Sequence, residues 1–150
     1  MAKKYYLEAL DIRKKLTQIN PNIYLYYIAN IINNLALLYS ETNRYELAEK
    51  YFLETLELYQ KFIQNNPNIY ESDIAMVLNN LAILYNDTSR YKFVEKYYLE
   101  SLIIYRKLVK TNSKAYLSYV AGTLNNLAIS YSNINRYEYT EKRYLEALKI

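Results

Sequence analysis

The side chains best placed to do chemistry in this chain are carboxamides. Asn33-Asn34, Asn79-Asn80 and Asn125-Asn126 recur, each pair followed by Leu-Ala. A carboxamide carries a donor and an acceptor together, so it can hold the backbone of an extended peptide whatever that peptide's sequence. The chemistry on offer is therefore recognition. Bond-breaking chemistry has little to work with, because the chain contains no His and no Cys. That removes the commonest general base, the commonest metal ligand and the thiolate nucleophile. No Gly-rich phosphate loop and no inward cluster of carboxylates takes their place. The sequence predicts neither an enzyme, nor a bound cofactor, nor a metal site.

The spacing of the pairs sets the architecture. Both 79 − 33 and 125 − 79 give 46, and a fixed step of this kind marks a stacked repeat protein. The step divides the chain into a partial unit at 1–20 and repeats at 21–66, 67–112 and 113–150, the last truncated. The string Tyr5-Tyr6-Leu7-Glu8-Ala9-Leu10 returns at 51–56, 97–102 and 143–148, so each period holds a second element, B, besides the element A that carries the amides. One Gly and two Pro leave few breakers, which favours long helices.

Helix A is expected at about 24–40, 71–86 and 117–132. Ile28, Ile32, Leu35, Ala36 and Tyr39 share one face, with Ile74, Leu78, Leu81, Ala82, Tyr85 and Val120, Leu124, Leu127, Ala128, Tyr131 as equivalents. This is the core stripe. Helix B is expected at about 2–19, 44–64, 90–110 and 136–150, with Ala48, Phe52, Thr55, Leu56, Tyr59 and Ile63 buried in its first full copy. Asn20-Pro21-Asn22 and Asn66-Pro67-Asn68 read as breaks between B and A, and Asn112-Ser113-Lys114 as a weaker one. Asn43 with Glu46, and Asn135 with Glu138, have the pattern of capping boxes opening helix B. Units of two helices cannot bury their apolar faces alone, so they must stack into an all-α solenoid of antiparallel helix pairs.

Composition narrows the partners. The formal charge is +4, with cations gathered at Arg13-Lys14-Lys15 and at Arg106, Lys107 and Lys110, all in the last turns of expected helices. There they face the negative end of the helix dipole, so no nucleic-acid partner is expected. No apolar run approaches the ~20 residues that span a bilayer, and the N-terminus lacks a signal-peptide core. A cytoplasmic location without a membrane partner is expected. The 21 Tyr, beside abundant Asn, Ile and Lys, read as A/T-rich coding and interhelix packing more than as a binding surface.

The residues also resemble a known family. Ala36, Tyr39, Tyr45, Ala48, Phe52 and Thr55 fall at the small and aromatic signature positions of the tetratricopeptide repeat. Leu-Asn-Asn-Leu-Ala at 78–82 and 124–128, and Arg-Tyr-x-x-x-Glu-Lys-x-Tyr-Leu-Glu at 90–100, resemble the long-repeat branch typified by kinesin light chain. The step exceeds the common form of about 34 residues, and the family's usual Gly in helix A is Ala36 and its equivalents. The resemblance implies a right-handed superhelix whose concave face is lined by helices A. It implies a protein–protein interaction scaffold, with a segment or helix of another protein bound in that groove.

Helical phase then selects the candidate contacts. Opposite the core stripe lie Asn30, Asn34, Leu37 and Glu41; then Met76, Asn80, Ile83 and Asp87; then Gly122, Asn126, Ile129 and Asn133. Asn34, Asn80 and Asn126 point most directly at a ligand. Asn33, Asn79 and Asn125 lie on the flank, where an amide ladder across neighbouring A helices competes with groove contact. No Lys or Arg lies on this line, so the bound segment should be neutral or basic. The chain opens and closes inside a B helix, which suggests a piece of a longer array. A structural or sensor arm of a larger signalling protein is the alternative function, and the raw terminal faces suggest weak end-to-end self-association.

Overall fold

The computed structural model describes residues 1–18, 21–64, 69–134 and 137–150, with side chains described for all of these but 21–23 and 137–140. Its helices are α1 (Ala2–Thr17), α2 (Pro21–Glu41), α3 (Tyr45–Ile63), α4 (Glu71–Asp87), α5 (Tyr91–Val109), α6 (Ser113–Asn133) and α7 (Tyr137–Leu148). No strand occurs among the described residues. The helices form two compact units, Met1–Tyr70 and Glu71–Ile150.

In the first unit α2 packs against both α1 and α3. Its apolar stripe explains this: Ile28, Ile32, Leu35, Ala36 and Tyr39 are all buried, as expected. From α3 come Ala48, Phe52, Thr55, Leu56 and Tyr59, while Ile63 is only half-buried. Tyr59 donates its hydroxyl to Asn30 Oδ1 at 3.0 Å, and Asn30 Nδ2 donates to the Tyr26 carbonyl at 3.2 Å. A buried phenol needs such a partner.

The second unit repeats the pattern with one more helix. Consecutive helices pack on one another, and α4 also touches α6. Its stripes on α4 and α6 are buried at every expected position. Ala75, Leu102, Tyr105, Leu108, Val120 and Leu124 form a core cluster drawn from α4, α5 and α6. Close approach is possible because the facing residues are small. Ala75 and Ser101 are wholly buried, and Ser101 Oγ donates to the Ala75 carbonyl at 2.7 Å.

The A-to-B corner is built differently from the expectation. Asn43 and Ser89 adopt left-handed backbone, at φ 58° and 56°. Arg44 N donates to Tyr39 O and Arg90 N to Tyr85 O, both at 2.8 Å, while Asn43 N reaches Ser40 O and Ser89 N reaches Asn86 O. These are the paired bonds of a Schellman motif closing helix A. The N-cap of α3 is thus Arg44, without a side-chain cap, and the Asn43–Glu46 capping box does not form. Asn43 is already committed to the preceding helix, and its Oδ1 accepts from Tyr45 Oη at 2.7 Å. The Asn135–Glu138 box lies outside the described residues.

The same corner carries a layered stack. The Arg44 guanidinium lies 4.9 Å from the Tyr39 ring centre, and Tyr39 stacks on Tyr51 at 5.6 Å. Arg90, Tyr85 and Tyr97 repeat this at 4.5 Å and 5.4 Å. Each ring pair contributes about 0.5–1.5 kcal/mol and each exposed cation about 0.5–1 kcal/mol. At the third copy the outer ring is replaced by Arg143.

Two helix starts also move. Pro21 opens α2 because the first helical position needs no N–H donor. Asn112 caps α6, its side chain accepting from Ala115 N at 3.1 Å, so α6 begins at Ser113, about a turn earlier than expected.

Two substitutions test this packing. Ala82→Leu forces bulk into a fully buried contact and should destabilise by about 1–3 kcal/mol. Ser89→Gly removes left-handed strain and should stabilise by about 0.5–1 kcal/mol. Urea unfolding followed by circular dichroism reads both.

Candidate functional site

In the second unit α4 and α6 each present, on the side away from their core stripe, the residues selected by helical phase. Met76 and Asn80 are half-buried and Ile83 is 36 % exposed on α4. On α6 Gly122 is exposed, Asn126 is half-buried and Ile129 is 41 % exposed. A methyl added at Gly122 would meet nothing within 4 Å, so the surface is open there. In the first unit Asn34 is exposed and Leu37 half-buried. Among the described residues, the Asn34, Asn80 and Asn126 amides take no intramolecular hydrogen bond. Asn30 differs, because Tyr59 and Tyr26 already use its amide.

The flanking amides do not make the expected ladder. Asn33 is 4 % exposed and Asn79 half-buried, yet Oδ1 of each is buried without a partner. Asn125 is exposed. The small step from α4 to α6 therefore leaves Asn79 Oδ1 and Asn125 unjoined. A buried acceptor left unpaired costs about 1–3 kcal/mol.

One turn before Met76 and Gly122 the structure adds residues that phase reasoning missed. Asp73 and Met76 of α4, Tyr105 of α5, and Tyr116 and Tyr119 of α6 line a cleft of about 340 Å³. The Tyr105 and Tyr119 rings stack 5.1 Å apart, and Tyr116 stands 6.3 Å from Tyr119 at a tilt of 43°. Tyr105 is buried and Tyr119 is 52 % exposed. Burial pushes the Asp73 carboxyl and the Tyr105 hydroxyl above their ordinary values. Nearby Glu71 pairs with Lys107, but no cation among the described residues pairs with Asp73. The signal was available: Asp73 and Tyr119 are one repeat step apart and extend the line of Met76 and Gly122.

The geometry is that of a repeat protein, and comparison with known proteins decides the family. The family model described as Tetratricopeptide repeat matches residues 28–61 and 74–113. The chain is a tetratricopeptide-repeat protein. Among solved structures it is similar to BtubC (BKLC) from P. vanneervenii, at 21 % identity and a TM-score of 0.72. That likeness covers 97 % of this chain and 56 % of the other, so the chain spans little more than half of that protein. No curated protein matches the sequence. Tetratricopeptide repeats generally mediate protein–protein interaction. Among the described residues no helix is long and apolar enough to cross a membrane, and no group of His, Cys, Asp or Glu could hold a metal ion.

The raised Asp73 carboxyl makes a pH prediction. The folded unit favours the protonated acid, so its stabilising contribution is complete below the unfolded value and disappears as pH rises through the folded one. Burial here outweighs the helix dipole, which would favour the anion in the first turn of α4. The facing groups are the hydroxyls of Tyr105, Tyr116 and Tyr119 and the Glu71–Lys107 pair. Asp73→Asn should raise the urea midpoint at pH 7 and raise it less at pH 3. An unchanged or lower midpoint at pH 7 would contradict the reading.

Proposed function

We propose that this tetratricopeptide-repeat chain is a protein-interaction module that takes an extended segment of a partner on the outer face of the A helices α4 and α6 of its second unit, with the outer face of α2 offering the same chemistry in the first. The observation that carries the reading is the set of unengaged amides, Asn34, Asn80 and Asn126, at one position of successive repeats. In the second unit two of them come with Ile83 and Ile129 beside them. An amide offers a peptide backbone both a donor and an acceptor, and the isoleucines offer apolar contact. Asn within a helix costs roughly 0.5–0.7 kcal/mol against Ala, so three such pairs call for a compensating role. Asn33 and Asn79 flank this line with a buried Oδ1, so the accessible second amide of each pair carries the contact.

The segment is neutral or basic. In the second unit that line carries Asp73 and Asp87, in the first Glu41, and in neither a Lys or Arg. An acidic tail would need cations that this face lacks.

Peptide display on the purified chain tests this. Neutral-to-basic sequences should be enriched. The combined Asn34→Ala, Asn80→Ala, Asn126→Ala variant should capture the selected peptides about tenfold less, the loss of one or two hydrogen bonds, with its helical circular dichroism unchanged. Enrichment of acidic C-termini, or undiminished capture by the variant, would overturn the proposal.

A further inference from the structure

We infer that the cleft between Asp73 and the tyrosines of α5 and α6 is a recognition subsite for an arginine side chain of the bound partner. The inference rests on the proposed groove, of which the cleft forms one end, and adds to it a chemical identity for one ligand residue.

Placement comes first. Asp73 lies one turn before Met76 on α4, and Tyr119 one turn before Gly122 on α6. A segment lying along Asn80 and Asn126 and running toward the N-terminal ends of these helices meets the cleft next. Gly122 leaves the way open, since even a methyl there would touch nothing.

Chemistry selects the occupant. The cleft holds one carboxylate and no cation to answer it, while its neighbour Glu71 is answered by Lys107. The wall opposite is aromatic, with Tyr119 half-exposed over the buried Tyr105. Ring faces attract cations, and a planar guanidinium both stacks on a ring and forks onto a carboxylate. A neutral aliphatic side chain would leave the half-buried carboxylate unanswered, and an acidic one would repel it.

The first unit supplies an internal precedent. Tyr27 occupies the position of Tyr119 two repeat steps earlier. The Arg13 guanidinium lies 4.5 Å from the Tyr27 ring centre. A tyrosine in this register therefore already receives an arginine. In the second unit the residue corresponding to Arg13 is Tyr105, which stacks on Tyr119, and among the described residues no arginine meets the ring, which stays 52 % exposed. Met76 points to the same difference: its equivalent, Asn30, is tied internally to Tyr59, while Met76 lines the cleft.

The test uses the full chain and small probes. N-acetyl-arginine methylamide, N-acetyl-citrulline methylamide and N-acetyl-lysine methylamide are titrated while amide resonances are followed by NMR. Arginine should shift Asp73, Tyr116 and Tyr119 saturably. Citrulline, the same shape without the charge, should bind at least about tenfold more weakly, and lysine should fall between. Asp73→Asn should reduce arginine binding to the citrulline level, with circular dichroism confirming the fold. Tyr119→Ala, at an exposed ring that the core does not need, should weaken it as well. Equal binding of arginine and citrulline, or an Asp73→Asn variant indistinguishable from the parent, would overturn the inference. The probes carry no extended segment, so the two readings fail separately. Silent probes with display peptides still captured would remove the cleft alone. Responsive probes without peptide capture would remove the groove alone.

Discussion

The structure depends on how closely helices A and B approach at their small residues. Ala36, Ala82 and Ala128 are fully buried on the A helices, and Ala48, Thr55 and Ser101 on the B helices. Removing side-chain bulk at these contacts lets Leu35 bury fully in the first unit and Leu81 and Leu127 in the second. A pair of helices seals only one stripe of each, so every unit needs the next helix to complete its burial. This accounts for α2 lying between two B helices, and for the added contact of α4 with α6.

Commitment of one stripe leaves the opposite side of the A helices with little structural work, Asn30 with its bond to Tyr59 being an exception. Its residues are held in place by the core yet remain accessible, which is the condition a rigid binding surface requires. The two Asn of each pair sit at the edge between these regimes. In α2 the first is buried and the second exposed, in α4 both are half-buried, and in α6 the first is exposed and the second half-buried. The Arg-Tyr-Tyr layer at the A-to-B corner fixes the two helices against each other on the buried side, at the C-terminal end of helix A.

Most of this was legible in the sequence because it repeats. A stripe recurring at a fixed step identifies its buried face without reference to any structure, and Ile28 through Tyr131 are buried where phase places them. What was not legible is where one side chain has two roles to choose between. Asn43 matches an N-cap pattern but serves as the left-handed residue ending the previous helix. Asn112 looked like a weak stop and is a helix-opening cap, which hid Tyr116 from the face of α6. The amide ladder failed because Asn79 Oδ1 finds no partner although α6 is adjacent. The cleft was missed for a related reason: Tyr105 and Tyr119 belong to a residue type so abundant here that packing explained it.

The central claim is that partners lie on the outer face of the A helices and not on the B helices. Paramagnetic broadening from a nitroxide carried by a display-selected peptide addresses it directly. The account predicts loss of signal at Met76, Asn80, Ile83, Asn126 and Ile129. Broadening confined to Leu53, Glu57 and Ile103, which stand exposed on the B helices, would contradict it.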